Sequence, residues 1–257
     1  MATRAPRAAS PLAAYVLHHY DWSESSLILD LFTREQGRMA VAAKGAKRPY
    51  SQLRGVLLPF QRLNVLLGRA TEGAEVQLLR SAEWGGGAAM LTGAALFSGF
   101  YLNELLMKLL ARHDPHPALF EAYAQTLPAL ASADDGAVQS ALRAFELTLL
   151  QAIGVLPDLS LVTATQQPVD AARRYTVAAE AGVAPLEPER DGAAVSGAVL
   201  LGLQAALEHG SMAALQQGCA VALPALKAVL RGLLHYHLGS SELRTRRVMT
   251  ELQQLER

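Results

Sequence analysis

The chain has 257 residues, of which 23 are basic and 23 acidic, so its formal net charge at neutral pH is zero. This length allows one large domain or two smaller ones, each with a hydrophobic core. Residues 1–80 carry eleven basic and six acidic side chains (net +5), whereas residues 81–257 carry twelve and seventeen (net −5). This split excludes an evenly mixed surface charge and predicts two domains with different partners.

Cys219 is the only cysteine, which excludes an intramolecular disulfide and is typical of a protein of the reducing cytoplasm. Residues 1–12 are basic but lack the apolar core of a signal peptide, so we predict a flexible basic tail. The segment Trp84–Asn103 has no charged residue, yet its glycines and few large aliphatic side chains favour a buried helix over a membrane span. We therefore expect a cytoplasmic protein that does not enter the membrane.

Residues 13–83 consist of short apolar runs separated by glycine, proline or polar clusters, and this spacing predicts β-strands. Turn signals occur at Gln36–Gly37 and at Gly45. Five short strands in about 70 residues match the size of an antiparallel oligonucleotide-binding (OB) barrel. An SH3-like barrel fits the same pattern almost as well.

Residues 84–257 are predicted to form a helical domain, because the apolar period becomes helical after the glycines at 85–87. Phe97, Tyr101 and Leu105 fall at helical spacing, and the following Asp-Pro-His-Pro sequence ends that helix. Further helices are predicted at 118–130, at 137–154 and from about 197 onwards.

Residues 157–197 differ from the segments around them, because they are rich in proline, threonine and glutamine and contain short β-like pieces. We predict an irregular insertion there. The fold expected from the sequence is therefore an α+β multidomain chain, with a five-stranded antiparallel OB barrel at 13–83 and a mainly α-helical domain at 84–257.

The most one-sided charge lies between residues 31 and 69, where eight basic residues accompany a single acid, Glu35. Such a field attracts a polyanion through salt-dependent contacts with phosphates. A solvent-exposed charged surface without a partner is the alternative, and charge alone does not decide between the two. The basic residues are Arg34, Arg38, Lys44, Lys47, Arg48, Arg54, Arg62 and Arg69.

No motif for a phosphate-binding glycine loop or a nucleophile elbow is found, so the sequence predicts no catalytic residue. His113, Asp114 and His116 form a possible metal cluster, but the prolines between and after them prevent a helix. We therefore predict a solvated loop there and no metal site.

Many of these segments resemble the RecO family of bacterial recombination mediators and DNA repair proteins. In the first domain the similar segments are Tyr15–Leu17, Glu24–Thr33, Gly37–Arg38, Ala43–Ala46, Ser51, Leu58–Phe60 and Glu83. In the second domain they are 101–110, 114–123, 142–159 and 225–249. Each motif is modest, but together they cover nearly the whole chain in the right order.

The resemblance implies an OB domain that binds single- and double-stranded DNA and a helical domain that binds protein partners. It also implies annealing of complementary strands, and work with RecR and RecF to load RecA on DNA coated by single-strand-binding protein (SSB). Some relatives carry a cysteine zinc site in the insertion, whereas residues 157–195 of this chain contain no cysteine. We therefore expect no cofactor, no enzymatic activity and a location at the nucleoid in the cytoplasm.

Candidate site residues follow from these expectations. Lys44, Lys47 and Arg48 are the strongest candidates for phosphate contacts, because they lie in a glycine-containing loop. The complete DNA-binding set is Arg34, Arg38, Lys44, Lys47, Arg48 and Arg54. The predicted SSB-tail-binding set on the helices is Arg143, Lys227 and Arg231.

Two other function classes remain open at the sequence level. A general OB protein that binds RNA or single-stranded DNA would need the same cations, together with aromatic residues such as Trp22 or Tyr50 for stacking. An accessory subunit of a nucleic-acid enzyme, such as a nuclease, would instead need a carboxylate cluster for magnesium. The candidate carboxylates are Asp21, Glu24, Asp30 and Glu35.

Overall fold

The computed structural model describes residues 10–68, 74–87, 90–186, 193–239, 243–245, 247 and 248. Most of the predicted basic tail, and Arg69, lie outside these residues. The chain divides into two compact units. The first unit comprises Met1–Met90 and Leu110–Phe120, and the second comprises Leu91–Leu109 and Glu121–Arg257.

The first unit contains a closed five-stranded barrel, which confirms the predicted fold class. Its strands are β1 (Leu12–Asp21), β2 (Leu27–Thr33), β3 (Gly37–Ala43), β4 (Leu63–Leu67) and β5 (Val76–Trp84), with a short helix α1 (Leu53–Val56) before β4. The order around the barrel is β1-β2-β3-β5-β4, with β4 pairing back to β1.

One strand pairing differs from the predicted antiparallel barrel: β3 and β5 are parallel, with Ala40 opposite Val76 and Ala42 opposite Leu78. Strand direction cannot alternate all the way round a closed ring with an odd number of strands, so one neighbouring pair must be parallel. Along each strand, alternate side chains enter the core, as do Val16, Leu29 and Leu31.

The segment Leu110–Phe120 returns to the barrel and covers one part of its outer face. The Phe120 ring packs 5.2 Å from the Tyr15 ring and 5.4 Å from the Phe32 ring. The backbone N–H of His113 donates to the carbonyl of Arg38 at 2.8 Å. Gly37 has a φ of +69°, and a Cβ there would collide with the backbone of Asp114, so glycine permits this close approach.

A buried ion pair lies beneath the same segment. Arg38 Nη2 donates to Asp30 Oδ2 at 2.8 Å and Arg38 Nε donates to Asp30 Oδ1 at 2.9 Å, which is a bidentate arrangement. Arg38 also donates to the Leu110 carbonyl. The prediction that Arg38 contacts phosphate is therefore corrected: its charge is balanced by Asp30 inside the barrel unit, and its role is structural.

The second unit is mainly helical, as predicted. Its helices are α2 (Gly93–Leu109), α3 (Pro117–Leu130, whose first residues belong to the first unit), α4 (Asp135–Ala152), α5 (Gly197–Glu208), α6 (Met212–Val221) and α7 (Leu223–Leu238). The Asp134 side chain accepts a hydrogen bond from Gly136 N at 2.9 Å and caps α4, as expected of aspartate at a helix start. Among the described helices, none is by itself long and apolar enough to cross a membrane; α6 and α7, joined at a 109° bend, meet that test only as a pair and only by length and composition.

The predicted irregular insertion contains a small antiparallel sheet in the order β7-β6-β8. Its strands are β6 (Arg174–Ala178), β7 (Gly182–Pro185) and β8 (Val195–Ser196). Hydrogen bonds tie this sheet to the preceding loop, because Val183 N donates to Thr163 Oγ1 at 2.9 Å and Asp170 N donates to the Tyr175 hydroxyl at 2.8 Å. The described residues of the insertion therefore form more regular structure than its composition indicated.

Glu104 of α2 caps the helical turn that begins near Leu243. Its carboxylate accepts from Arg244 N at 2.8 Å, from Thr245 N at 3.0 Å and from the Thr245 hydroxyl at 2.7 Å. Burial alone raises the pKa of Glu104, but these hydrogen bonds and the nearby Lys108 ammonium bring the pKa below its ordinary value of 4.5. The carboxylate thus holds together residues 140 positions apart in sequence.

We expect Arg38→Ala to lower the free energy of unfolding by about 3 kcal/mol, because it leaves the Asp30 carboxylate buried without its counter-ion. Urea unfolding followed by circular dichroism measures this loss. The matched control is Arg54→Ala on α1, whose exposed side chain predicts a change within about 0.5 kcal/mol. Equal stability of the two variants would contradict a structural role for Arg38.

We expect Glu104→Gln to destabilise the protein by about 2 kcal/mol at neutral pH, because charge-assisted bonds to Arg244 and Thr245 are lost. The folded-state pKa of Glu104 is lowered, so its contribution is present above about pH 4.5 and is lost as the pH falls through the folded-state value. The difference in unfolding midpoint between wild type and variant should therefore shrink on acidification. A difference that stays constant with pH would show that the charge is not responsible; exposed Glu208→Gln is the control.

Candidate nucleic-acid interface

The strand register arranges the outer face of the barrel in rows that run across the strands. The first row consists of Tyr15, Phe32 and Arg38, and the segment Leu110–Phe120 packs on it. The next two rows are His18, Asp30, Ala40 and Val76, followed by Tyr20, Ile28, Ala42 and Leu78. In the last row, 50% of the Tyr20 side chain and 42% of Leu78 are exposed, so this part of the face is open.

An open cleft of about 330 Å³ lies at the end of this face. The β1–β2 loop forms one wall, and the loop that follows β3 forms the other. The lining residues are Trp22, Ser23, Ser25, Ser26, Lys44, Gly45 and Arg48. OB barrels bind oligonucleotides on the face of strands 2 and 3 and on the β1–β2 and β4–β5 loops, and the first of these loops lines the cleft.

Lys44 and Arg48 bring positive charge to the cleft. Both side chains are exposed, and neither has an ion-pair partner among the described residues. Gly45 between them has a φ of +72°, which favours glycine, and the side chain of Arg48 folds across it. Two predicted phosphate ligands thus face the same small volume.

Lys47, the third strong candidate, has a different environment. Its backbone N–H donates to the Ser25 carbonyl at 3.0 Å, and its ammonium donates to the Ser23 carbonyl at 3.0 Å. The ammonium also lies 3.1 Å from Asp21 Oδ1. Lys47 therefore fixes the β1–β2 loop against the loop after β3, and its charge is partly balanced by Asp21.

The remaining predicted cations do not join the cleft. Arg34 lies in the β2–β3 turn, at the opposite end of these strands from the cleft. Arg54 lies on α1 and is exposed. The described cations of the basic stretch are thus divided among a cleft, a distant turn, a short helix, the buried pair of Arg38 and the contact of Arg62 with the Phe120 ring.

Sequence reasoning missed Arg80 of β5 as a candidate. Val76, Leu78 and Arg80 alternate as exposed residues along this strand, while Leu79 is buried. Leu78 pairs with Ala42 at the end of the β3–β5 ladder, and Arg80 lies two residues beyond it as the next exposed residue of β5. The signal was the exposed alternation of β5, but it requires the β3–β5 pairing, which the sequence alone did not reveal.

Arg143, predicted to flank an SSB-tail pocket, is buried on α4, and this assignment is corrected. Its Nη2 lies 2.7 Å from Glu146 Oε1, which also accepts a hydrogen bond from the Tyr101 hydroxyl at 2.7 Å. Burial raises the pKa of the nearby Cys219 thiol to about 12; the Glu146 charge adds to the rise and the Arg143 charge opposes it. Arg143 therefore balances a buried carboxylate and does not present charge to a partner.

Lys227 and Arg231 do lie at the surface, four residues apart on α7, and their side chains are exposed. Residues at this spacing share one face of a helix. The same exposed face continues to His235, whereas Tyr236, which is 54% exposed, lies nearly on the opposite side of the helix from Lys227. This stripe therefore combines the two cations with the His235 imidazole.

The predicted loop with His113, Asp114 and His116 has exposed or half-exposed side chains, with His116 Nε2 3.1 Å from Asp114 Oδ2. Across the described part of the chain, no group of three or more His, Cys, Asp or Glu residues is arranged to hold a metal ion.

Comparison with known proteins places the chain in a family. Residues 11–87 match the family model described as the N-terminal part of recombination protein O, and residues 90–247 match the model of its C-terminal part. The chain is 53% identical over 243 residues to "DNA repair protein RecO" of Polaromonas naphthalenivorans, covering 94% of this chain and 96% of the relative.

Two further relatives agree with this placement. The protein of the same description from Verminephrobacter eiseniae is 51% identical over 245 residues, covering 94% of this chain and 96% of the relative. That from Paracidovorax citrulli is 50% identical over 260 residues, covering 98% of this chain and all of the relative. The chain belongs to the RecO family of DNA repair proteins.

Proposed function

We propose that this protein is a cytoplasmic, nucleoid-associated recombination mediator that binds single- and double-stranded DNA and anneals complementary strands. With RecR and RecF, it helps to load RecA on DNA coated by SSB. The observation that carries this proposal is the cleft, where the exposed cations Lys44 and Arg48 lie beside the exposed indole of Trp22. The named protein partners are supported by the resemblance to the RecO family.

The carboxylates of the barrel argue against the nuclease alternative. Asp21 pairs with Lys47, and Asp30 pairs with Arg38. Glu35 accepts a hydrogen bond from the backbone N–H of Ala13. Three of the four candidate magnesium ligands thus have other partners, which supports a function that involves no covalent chemistry.

Annealing requires only that two strands approach each other and that their bases stay accessible. Cations that neutralise phosphates lower the repulsion between the strands. Aromatic side chains such as Trp22 and Tyr20 offer surfaces on which unpaired bases stack. The open face of the barrel supplies both components, and Lys47 holds the loop that carries Trp22 in place.

The experiment that tests this function is annealing of complementary strands coated by SSB, with and without RecR. We expect the wild-type protein to accelerate annealing and Lys44→Ala/Arg48→Ala to slow it at least about tenfold, because two phosphate contacts are lost. The double variant should also reduce the slope of log K against log salt for single-stranded DNA by about 1.4, from about 0.7 for each lost contact.

Lys47→Ala is the matched control within the same loop. It should weaken binding through a looser β1–β2 loop while leaving the salt slope nearly unchanged, because its ammonium is already paired with Asp21. An unchanged slope in the double variant would refute the assignment of Lys44 and Arg48. Absence of annealing by the wild type would refute the proposed function.

We further propose that the exposed face of α7 receives the C-terminal tail of SSB, which is acidic and ends in phenylalanine. Lys227 and Arg231 supply cations one helical turn apart on one exposed face of α7. This interpretation omits Arg143, which is paired with Glu146 in the interior.

We expect Lys227→Glu/Arg231→Glu to weaken binding of a fluorescent SSB-tail peptide by about tenfold or more, equal to about 1.4 kcal/mol. Fluorescence anisotropy measures this loss. Arg173→Glu is the control, because Arg173 is 72% exposed on the insertion and away from α7 in sequence. Equal affinity of the double variant and wild type would place the tail elsewhere.

A further inference from the structure

Trp22 is a large aromatic residue held at the surface by a well-fixed loop. Its side chain is 56% exposed at the rim of the cleft. Its backbone N–H donates to the Ser26 carbonyl at 3.2 Å and closes the β1–β2 loop. An exposed indole of this kind loses little conformational freedom when a ligand stacks on it, because the loop is already ordered.

The two walls of the cleft are joined by hydrogen bonds. Gly45 N donates to Ser26 Oγ at 3.3 Å, and Lys47 N and its ammonium donate to the carbonyls of Ser25 and Ser23. These bonds use groups from both loops and do not involve the Lys44 ammonium or the Arg48 guanidinium, which have no ion-pair partner among the described residues. The cleft is therefore formed before a ligand arrives.

Size and chemistry restrict what this cleft can hold. Its volume of about 330 Å³ is at the lower end of the range of small-molecule sites, about 300–1,000 Å³. Two cations favour an anionic group such as a phosphate, and the indole favours a flat ring. A phosphate and an adjoining base together provide both features within one nucleotide.

We propose that the cleft is a subsite for one unpaired nucleotide, with its phosphate held by Lys44 and Arg48 and its base stacked on Trp22. This inference rests on the proposed function and adds to it a preference for single-stranded DNA. Bases of a duplex are paired and stacked on both sides, so a duplex reaches the cations but not the indole. The subsite therefore selects single-stranded over double-stranded DNA, and Lys47 positions it without contacting the nucleotide.

The inference is tested by comparing two affinities of the wild type, one for an oligothymidine of about 20 nucleotides and one for a duplex of equal length. We expect Trp22→Ala to weaken binding of the single strand by about tenfold, equal to about 1.4 kcal/mol, and to leave duplex affinity unchanged within about twofold. Trp22→Phe should restore part of the loss, because phenylalanine still offers a ring. Fluorescence anisotropy of labelled DNA measures both affinities, and the exposure of Trp22 predicts that all variants unfold at the wild-type temperature.

Tyr50 provides the matched aromatic control. It is 99% exposed, only two residues from Arg48, and is not among the residues that line the cleft. Tyr50→Ala should keep the single-strand preference. Loss of preference equal to that of Trp22→Ala would overturn the assignment of the stacking position to the cleft.

A second measurement detects the stack directly. The chain has two tryptophans, so Trp84→Phe leaves Trp22 as the sole source of indole fluorescence. Single-stranded DNA should quench this emission at saturation, and duplex should not. Binding of the single strand without quenching would overturn the subsite.

The possible failures can be told apart. If wild type binds both DNAs and Trp22→Ala weakens them equally, the subsite is wrong and the proposed function stands. If wild type binds neither DNA, the proposed function itself fails. Tighter binding of a uridine RNA oligonucleotide of the same length would identify RNA as the occupant and overturn the inference for DNA.

Discussion

The bidentate pair between Arg38 and Asp30 divides the outer face of the barrel into a covered part and an open part. The pair neutralises Arg38, a cation of the basic stretch that lies beneath Leu110–Phe120, and the Arg38 backbone carbonyl accepts the N–H of His113. Burying two charges costs desolvation energy that their attraction only partly recovers. We therefore infer that the ion pair contributes more to the specificity of the fold than to its stability. It fixes where the segment Leu110–Phe120 packs on the barrel, and so leaves the rows near Tyr20 open for a ligand.

The sequence predicted the strands and helices well because local signals determine them. Glycine, proline and polar clusters mark the turns of the barrel, and the helical period is clear in α2 and α4. Non-local features were missed. The cap that Glu104 provides for residues near 244 joins positions 140 apart, and the docking of Leu110–Phe120 depends on shapes that only the folded barrel has.

The candidate site was predicted as a set of charges, whereas its geometry depends on pairing. Asp30 and Arg38 lie eight residues apart, and the β2–β3 register makes them diagonal neighbours on one face, so a hairpin register would have identified the pair. Lys47 looked like its neighbours in sequence, but only the folded loops bring it to Ser23 and Asp21. A count of local charge therefore predicted the loop that lines the candidate cleft but overestimated the number of cations facing it.

The contrast between fixed loops and exposed charges has a consequence for the proposed annealing of DNA strands. Phosphate contacts are made equally well to one strand or to two, so they do not favour release of the product. A stack on Trp22 exists only while a base is unpaired, and pairing removes it. A site that combines both interactions holds the reactant strand more tightly than the duplex, so formation of base pairs itself promotes release.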